Sequence, residues 1–131
     1  GQMKRKDFLG IDMRKPSRID QIEWFASTAS LCRAMNWIRQ RSSTESLGIV
    51  RDLLSINPGL LWDKSDWKYV GYKGGSEPGV LNMTWLVQHK NGRWYALSVT
   101  WNNKDAAFNN KQMIRLIMPL IQRLGLDPEA K

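Results

Sequence analysis

The chain alternates between two hydrophobic periods, and the change from one to the other divides it. Over residues 1 to 22 the apolar positions are scattered without period and Lys15-Pro16-Ser17 interrupts them, which predicts a basic, loosely structured lead-in. Residues 23–131 then read as a single α+β domain. A helix is expected from Ser27 or Thr28, both good N-caps, to about Arg41, with Leu31, Met35 and Ile38 at i, i+4, i+7 on one face. Ser42 and Glu45 have capping-box spacing ahead of a second helix. In that helix Leu47, Val50 and Leu54, together with Ile49, Leu53 and Ile56, predict burial on a wide face before Asn57-Pro58-Gly59 stops it.

Beyond Trp62 and Trp67 the period becomes that of strands. Lys68 to Gly74, Val80 to His89 and Arg93 to Trp101 are rich in β-branched and aromatic residues. Asn91-Gly92 joins the last two and reads as a two-residue hairpin loop. Such a loop sets His89 opposite Trp94, Val87 opposite Ala96 and Trp85 opposite Ser98. One face then carries Met83, Trp85, Val87 and Trp94, and the other Leu86, Tyr95, Leu97, Val99 and Trp101, so that both need cover. A last helix is expected from Asp105 or Asn109 to Leu124, with Met113, Ile117, Leu120, Ile121 and Leu124 inward and Pro119 kinking it. The expected architecture is an antiparallel sheet of about three strands, preceded by two helices and packed against a third.

Composition narrows the possible functions. At 131 residues and 42% hydrophobic there is enough chain for one core. No stretch reaches the ~20 apolar residues of a membrane span, and Met3-Lys4-Arg5-Lys6 lacks the apolar run of a signal peptide. Gly1 and Gln2 ahead of Met3 read as the start of an excised piece of a longer parent. With Cys32 and His89 as sole representatives of their types, neither a disulfide nor a CxxC metal cage is available, and no metal or cofactor is expected. Cys32 reads as a small hydrophobe and His89 as a water-facing residue beside a turn.

The net charge is +8, and more than half of the excess precedes residue 42, where nine Lys/Arg stand against Asp7, Asp12, Asp20 and Glu23. Such a run can attract a polyanion such as nucleic acid, teichoic acid or an anionic membrane face. No stacking-and-basic motif of a nucleic-acid-binding family accompanies it, so a solvated surface is the reading adopted and nucleic acid is not the expected partner.

Tyr72-Lys73-Gly74-Gly75-Ser76-Glu77-Pro78-Gly79 carries the candidate chemistry. Two glycines at the end of a strand let a ligand or another backbone come close, with Lys73 placing a cation beside the opening. The alternative is a plain hinge between strands, Lys73 being an edge charge that deters aggregation.

The order of these elements, with Lys73-Gly74-Gly75 as a Lys-Ser/Thr-Gly-like triplet, Asn91-Gly92 as a hairpin and Asp105 to Leu124 as a closing helix, resembles the C-terminal part of the serine β-lactamases and penicillin-binding proteins of class A type. The resemblance covers residues 24 to 125. It implies that Lys73 steadies a substrate carboxylate and the active-site hydroxyls, that Gly75 leaves room for substrate, and that Gly74 and Glu77 belong with it to the substrate-binding strand. It further implies that the Ser76 N–H serves the oxyanion hole, where one donor is worth about 3–4 kcal/mol, and that substrate adds to the strand edge. The chain departs from that family at Gly74, where a hydroxyl is usual, and in having no arginine on Val80 to His89.

The family's Ser-x-x-Lys nucleophile and Ser-x-Asn element would precede the segment present here. Ser65-Asp66-Trp67-Lys68 matches the first pattern, but it lies at the entry to a strand, where i and i+3 do not share a face, and is read as coincidence. No nucleophile elbow accompanies Ser98 and His89. The chain alone is therefore expected to be inactive. Its expected partners are the N-terminal remainder of a periplasmic or extracellular parent or a second copy of itself, and its expected ligand a β-lactam or peptidoglycan peptide. A non-catalytic binding domain of the same ancestry and a basic nucleic-acid module using Trp62 and Trp67 are the alternatives.

Overall fold

The structure, a computed structural model, describes residues 15, 16, 19, 25–42, 45–106 and 110–126. Its elements run α1 (Thr28–Arg41), α2 (Glu45–Ser55), β1 (Trp67–Glu77), β2 (Val80–His89), β3 (Trp94–Asn102) and α3 (Asn110–Gly125). The strands form one antiparallel sheet in the order β1-β2-β3, so the α+β architecture is the one expected.

Helix α1 begins where its cap chemistry dictates. Ser27 is extended and its hydroxyl accepts from the Ser30 N–H, satisfying one of the helix's unpaired donors. Ser42 closes α1: its N–H donates to the Ile38 carbonyl at 2.8 Å and its hydroxyl to the Arg39 carbonyl at 3.3 Å. That hydroxyl keeps its acceptor lone pairs, and its expected capping-box pairing with Glu45 falls on groups outside the described residues. The side chain of Glu45, and residues 1–14 of the lead-in, lie outside the described residues.

The hairpin register differs from expectation by one residue. His89 donates to the Arg93 carbonyl and Gly92 to the His89 carbonyl, each at 2.9 Å, leaving a three-residue loop, Lys90-Asn91-Gly92, with Gly92 at φ 92°. A three-residue loop closed by a left-handed glycine is the next most favoured hairpin solution after the two-residue one. Val87 consequently faces Tyr95, and Trp85 faces Leu97.

This shift sorts the sheet into one apolar and one mixed face, because side chains alternate along a strand. Met83, Trp85 and Val87 share a face with Tyr95, Leu97, Val99 and Trp101, and α3 covers it through Met113, Ile117 and Ile121. The fully buried side chains among these each contribute roughly 1.5–3 kcal/mol. The Trp85 indole N–H donates to the Pro58 carbonyl at 2.9 Å, tying the 56–62 loop over the same face. Leu120 points outward instead of inward, and Pro119 sits on the exposed side of α3.

The opposite face carries Asn82, Thr84, Leu86 and Gln88 on β2, and α1 and α2 lie over it. At the hairpin end, the Arg51 guanidinium of α2 sits 4.9 Å from the Tyr69 ring centre and 5.0 Å from that of Trp94. Tyr69 donates its hydroxyl to the Arg51 carbonyl at 2.9 Å. Only part of α2's apolar stripe is used. Leu47, Val50 and Leu54 are half-buried, whereas Ile49, Leu53 and Ile56 remain 60, 59 and 77% exposed. A lone sheet face meets one side of a helix, and no further element among the described residues lies beyond α2.

Candidate functional site

Strand β1 extends through the whole Lys73–Glu77 segment, which is strand rather than hinge. Gly74 faces Met83, Gly75 faces Asn82, Ser76 faces Leu81 and Glu77 faces Val80. A two-residue turn, Pro78-Gly79, then reverses the chain. Gly79 at φ 81° after a proline is the pattern of a type II turn, and a side chain there would also meet the Pro16 ring at 2.6 Å. Pro16 of the lead-in is thereby seated on the tip of the β1–β2 hairpin.

The ladder pattern decides which backbone groups of β1 are open. Asn103 donates to the Gly79 carbonyl at one end of β2, and His89 to that of Arg93 at the other, so odd-numbered β2 residues bond toward β3. Even-numbered ones bond toward β1, where Lys73 pairs with Thr84 and Gly75 with Asn82. The N–H and C=O groups of Tyr72, Gly74 and Ser76 therefore point out along the edge of β1, with which no strand among the described residues pairs. Lys73 bears this out by turning its ammonium back onto the Gly74 carbonyl. The equivalent edge of β3 is partly covered, because the Cys32 thiol of α1 donates to the Ala96 carbonyl at 3.6 Å.

Beside the open edge is a groove of about 860 Å³. Leu31, Ala34, Met35 and Ile38 of α1 form an apolar wall, and Lys73, Gly75, Asn82 and Thr84 belong to the facing sheet. A polar ladder crosses that sheet. Asn82 Nδ2 donates to Thr100 Oγ1 at 2.7 Å, Thr84 Oγ1 donates to Asn82 Oδ1 at 3.1 Å, and the Thr84 and Ser98 hydroxyls lie 2.9 Å apart. Each of these hydroxyls is engaged with a neutral partner, an arrangement that orients donors for a ligand but does not ionise one. Lys73 and Ser76 are exposed and Glu77 half-buried, so the residues singled out from the sequence are brought together along one strand edge.

The other candidate pairs separate. Cys32 lies against the mixed face, while His89 packs its ring 5.4 Å from that of Trp67 on the apolar face and is half-buried rather than water-facing. The same separation removes any relay between Ser98 and His89. Burial raises the Cys32 thiol above its ordinary range, and a hydrogen bond with the Ser98 backbone only partly offsets this, so the thiol stays protonated at neutral pH. Ser65 is a turn residue whose N–H donates to Asp63 Oδ1 at 2.8 Å and whose hydroxyl donates to Asp66 Oδ1 at 3.3 Å. Lys68, one residue into β1, plays no part in those bonds. Among the described residues no three His, Cys, Asp or Glu side chains gather as a metal site, and no helix is long and apolar enough to cross a membrane.

Sequence reasoning missed Tyr72 and the Asn82–Thr84–Ser98–Thr100 ladder. The signal for the ladder was present as strict alternation of Asn82 and Thr84 with Leu81, Met83 and Trp85. No family model matches the chain, and no curated protein matches it in sequence.

Proposed function

We propose that this chain supplies the Lys73-Gly74-Gly75 edge strand of an acyl-transfer site of the β-lactamase and penicillin-binding type, with the nucleophile contributed by the N-terminal remainder of a parent chain. The substrate class is β-lactams or D-alanyl peptides, which places the parent in the periplasm or outside the cell. The observation that carries this reading is the open β1 edge. Backbone donors and acceptors at Tyr72, Gly74 and Ser76 project from it next to the Lys73 ammonium, as pairing with an extended acyl-peptide requires. The outward Ser76 N–H has the direction needed of an oxyanion donor, and Gly75 has no heavy atom within 4 Å of where a side chain would begin, leaving room for a ligand.

The isolated chain is expected to take no label from a fluorescent penicillin and to leave a chromogenic cephalosporin intact. It is expected to bind N-acetyl-D-alanyl-D-alanine weakly, with amide shifts at Gly74, Gly75 and Ser76 in ¹⁵N spectra. A stoichiometric penicillin adduct in intact-mass spectrometry would overturn the division of labour, and its mapping to Ser65 would identify the nucleophile within this chain. Absence of any peptide-induced shift along β1 would overturn the assignment of the edge. A nucleic-acid module is disfavoured by the packing of Trp62 against Trp67 at 5.3 Å within the core, which withdraws both rings from base stacking.

A further inference from the structure

Two tyrosines of β1 are folded over the glycine two residues further along. The Tyr69 ring lies where a side chain on Gly71 would start, and the Tyr72 ring where one on Gly74 would start, with Tyr72 Cζ 2.6 Å from that position. An aromatic ring covering a strand glycine is an ordinary packing device. Tyr69 also discharges its hydroxyl, donating to the Arg51 carbonyl. Tyr72 differs. Its ring is held between Gly59, 2.8 Å from the site of a would-be Cβ, and Trp85, with ring centres 5.3 Å apart. Yet its hydroxyl has no hydrogen-bond partner among the described residues.

That hydroxyl sits over Gly74, whose own carbonyl receives the Lys73 ammonium. A strong donor and a cation thus both reach Gly74 at the edge of β1, the phenol from the apolar face of the sheet and the ammonium from the mixed one. The fixed packing of the ring leaves the phenol little freedom to turn elsewhere. Burial raises the Tyr72 hydroxyl above its ordinary range, which keeps it protonated and able to donate throughout the neutral range. Gly74 cannot carry a donor of its own, having no side chain and no room for one beneath that ring.

We propose that Tyr72 is a ligand-binding residue, its hydroxyl donating beside Lys73 to the terminal carboxylate of a peptide paired with the β1 edge, in the place a side chain at position 74 would otherwise hold. This rests on the reading of β1 as an acyl-peptide edge and names the group that recognises the anionic end of the ligand. Tyrosine is needed because its ring length carries the hydroxyl two residues along the strand, a span no serine or threonine at position 72 covers.

The test is a ¹⁵N titration of the chain with N-acetyl-D-alanyl-D-alanine and, in parallel, with its C-terminal amide. Tyr72→Phe keeps the ring over Gly74 and removes only the hydroxyl. It is expected to weaken binding of the acid about tenfold or more, as loss of one hydrogen bond to a charged group does, to leave the amide little changed, and to melt within about 2 °C of the parent. Tyr72→Ala combined with Gly74→Thr moves a hydroxyl onto position 74 and is expected to recover affinity for the acid that Tyr72→Ala alone loses. Binding of the acid by Tyr72→Phe as tight as by the parent overturns the role of Tyr72 while leaving the edge reading intact. A Tyr72→Phe chain that loses affinity for acid and amide alike, with a melting loss as large as that of Tyr69→Phe, assigns the hydroxyl to the fold and overturns it too. If the parent shows no shift at Gly74, Gly75 or Ser76 with either peptide, the edge reading itself falls.

Discussion

Gly74 and Gly75 are neighbours in one strand and have opposite reasons for being small. A Cβ on Gly74 would meet Tyr72 Cζ at 2.6 Å and the Asn82 carbonyl oxygen at 3.3 Å, the second being backbone and unable to retreat. A Cβ on Gly75 meets nothing within 4 Å. Gly74→Ala is therefore expected to destabilise the fold by about 1–3 kcal/mol through overpacking. Gly75→Ala should be neutral or stabilising by up to about 1 kcal/mol, because it reduces the freedom of the unfolded chain in a position any residue can occupy. Urea unfolding of the two variants checks this directly, and equal stabilities would contradict the account of Gly74. On the proposed reading of β1 as a peptide-binding edge, Gly75→Ala should nevertheless weaken peptide binding, since it fills the space that reading assigns to the ligand. Stability and affinity thus separate at adjacent residues, which packing alone would not produce.

At the scale of elements, the type and order of all six helices and strands follow from hydrophobic period and turn chemistry, because Asn57-Pro58-Gly59 and the Asn91-Gly92 pair are strong stops. What was not legible depended on a single residue or on tertiary partners. Asn91-Gly92 marks a hairpin whether its loop has two or three residues, yet the extra loop residue changes which side chains face each other across β2 and β3. The continuation of β1 through Gly74-Gly75 rests on pairing with β2, which no local propensity encodes. The candidate strand edge was legible from its glycines and lysine, whereas Tyr72 was not, because its importance lies in where a long side chain lands. Helix α2 is the other instance. The six apolar positions from Leu47 to Ile56, five of them within α2, predict a wide buried face, but one sheet surface can accept only the side bearing Leu47, Val50 and Leu54. Leu54→Ala is expected to lower stability by about 1–2 kcal/mol, and Leu53→Ala on the exposed side by no more than about 0.5. Thermal melts of the pair measure the difference, and a larger loss at Leu53 would mean that a partner covers that stripe in solution.

For the whole molecule the question is which surfaces remain uncovered. Trp85 is fully buried beneath α3 and the 56–62 loop, Arg51 lies over Trp94 and Trp101 is half-buried, so the chain itself covers much of the surface through which Trp85, Trp94 and Trp101 would pack face to face in a pair of copies. Among the described residues, two uncovered features suit association: the outward backbone groups of β1 and the stripe of Ile49, Leu53 and Ile56, the latter one of several exposed apolar groups that also include Trp37, Leu61 and Leu116. The β1 edge is self-complementary, since two copies related by a two-fold axis satisfy each other's donors and acceptors at once. Against this acts a net charge of +8, a repulsion that salt screens over a Debye length of about 10 Å at 0.1 M. Weak dimerisation that strengthens with salt is therefore expected, measurable by sedimentation equilibrium up to high micromolar concentration. Ser76→Pro removes one outward N–H without breaking a ladder bond, because position 76 does not bond toward β2, and it should abolish the dimer. Replacing Ile49, Leu53 and Ile56 by lysine should leave edge pairing in place. A dimer that survives Ser76→Pro and disappears with the lysines would locate association on α2. A 15.2 kDa monomer at all concentrations and salts would mean that the β1 edge is already protected within the chain, and then neither a second copy nor an added peptide strand would have access to it.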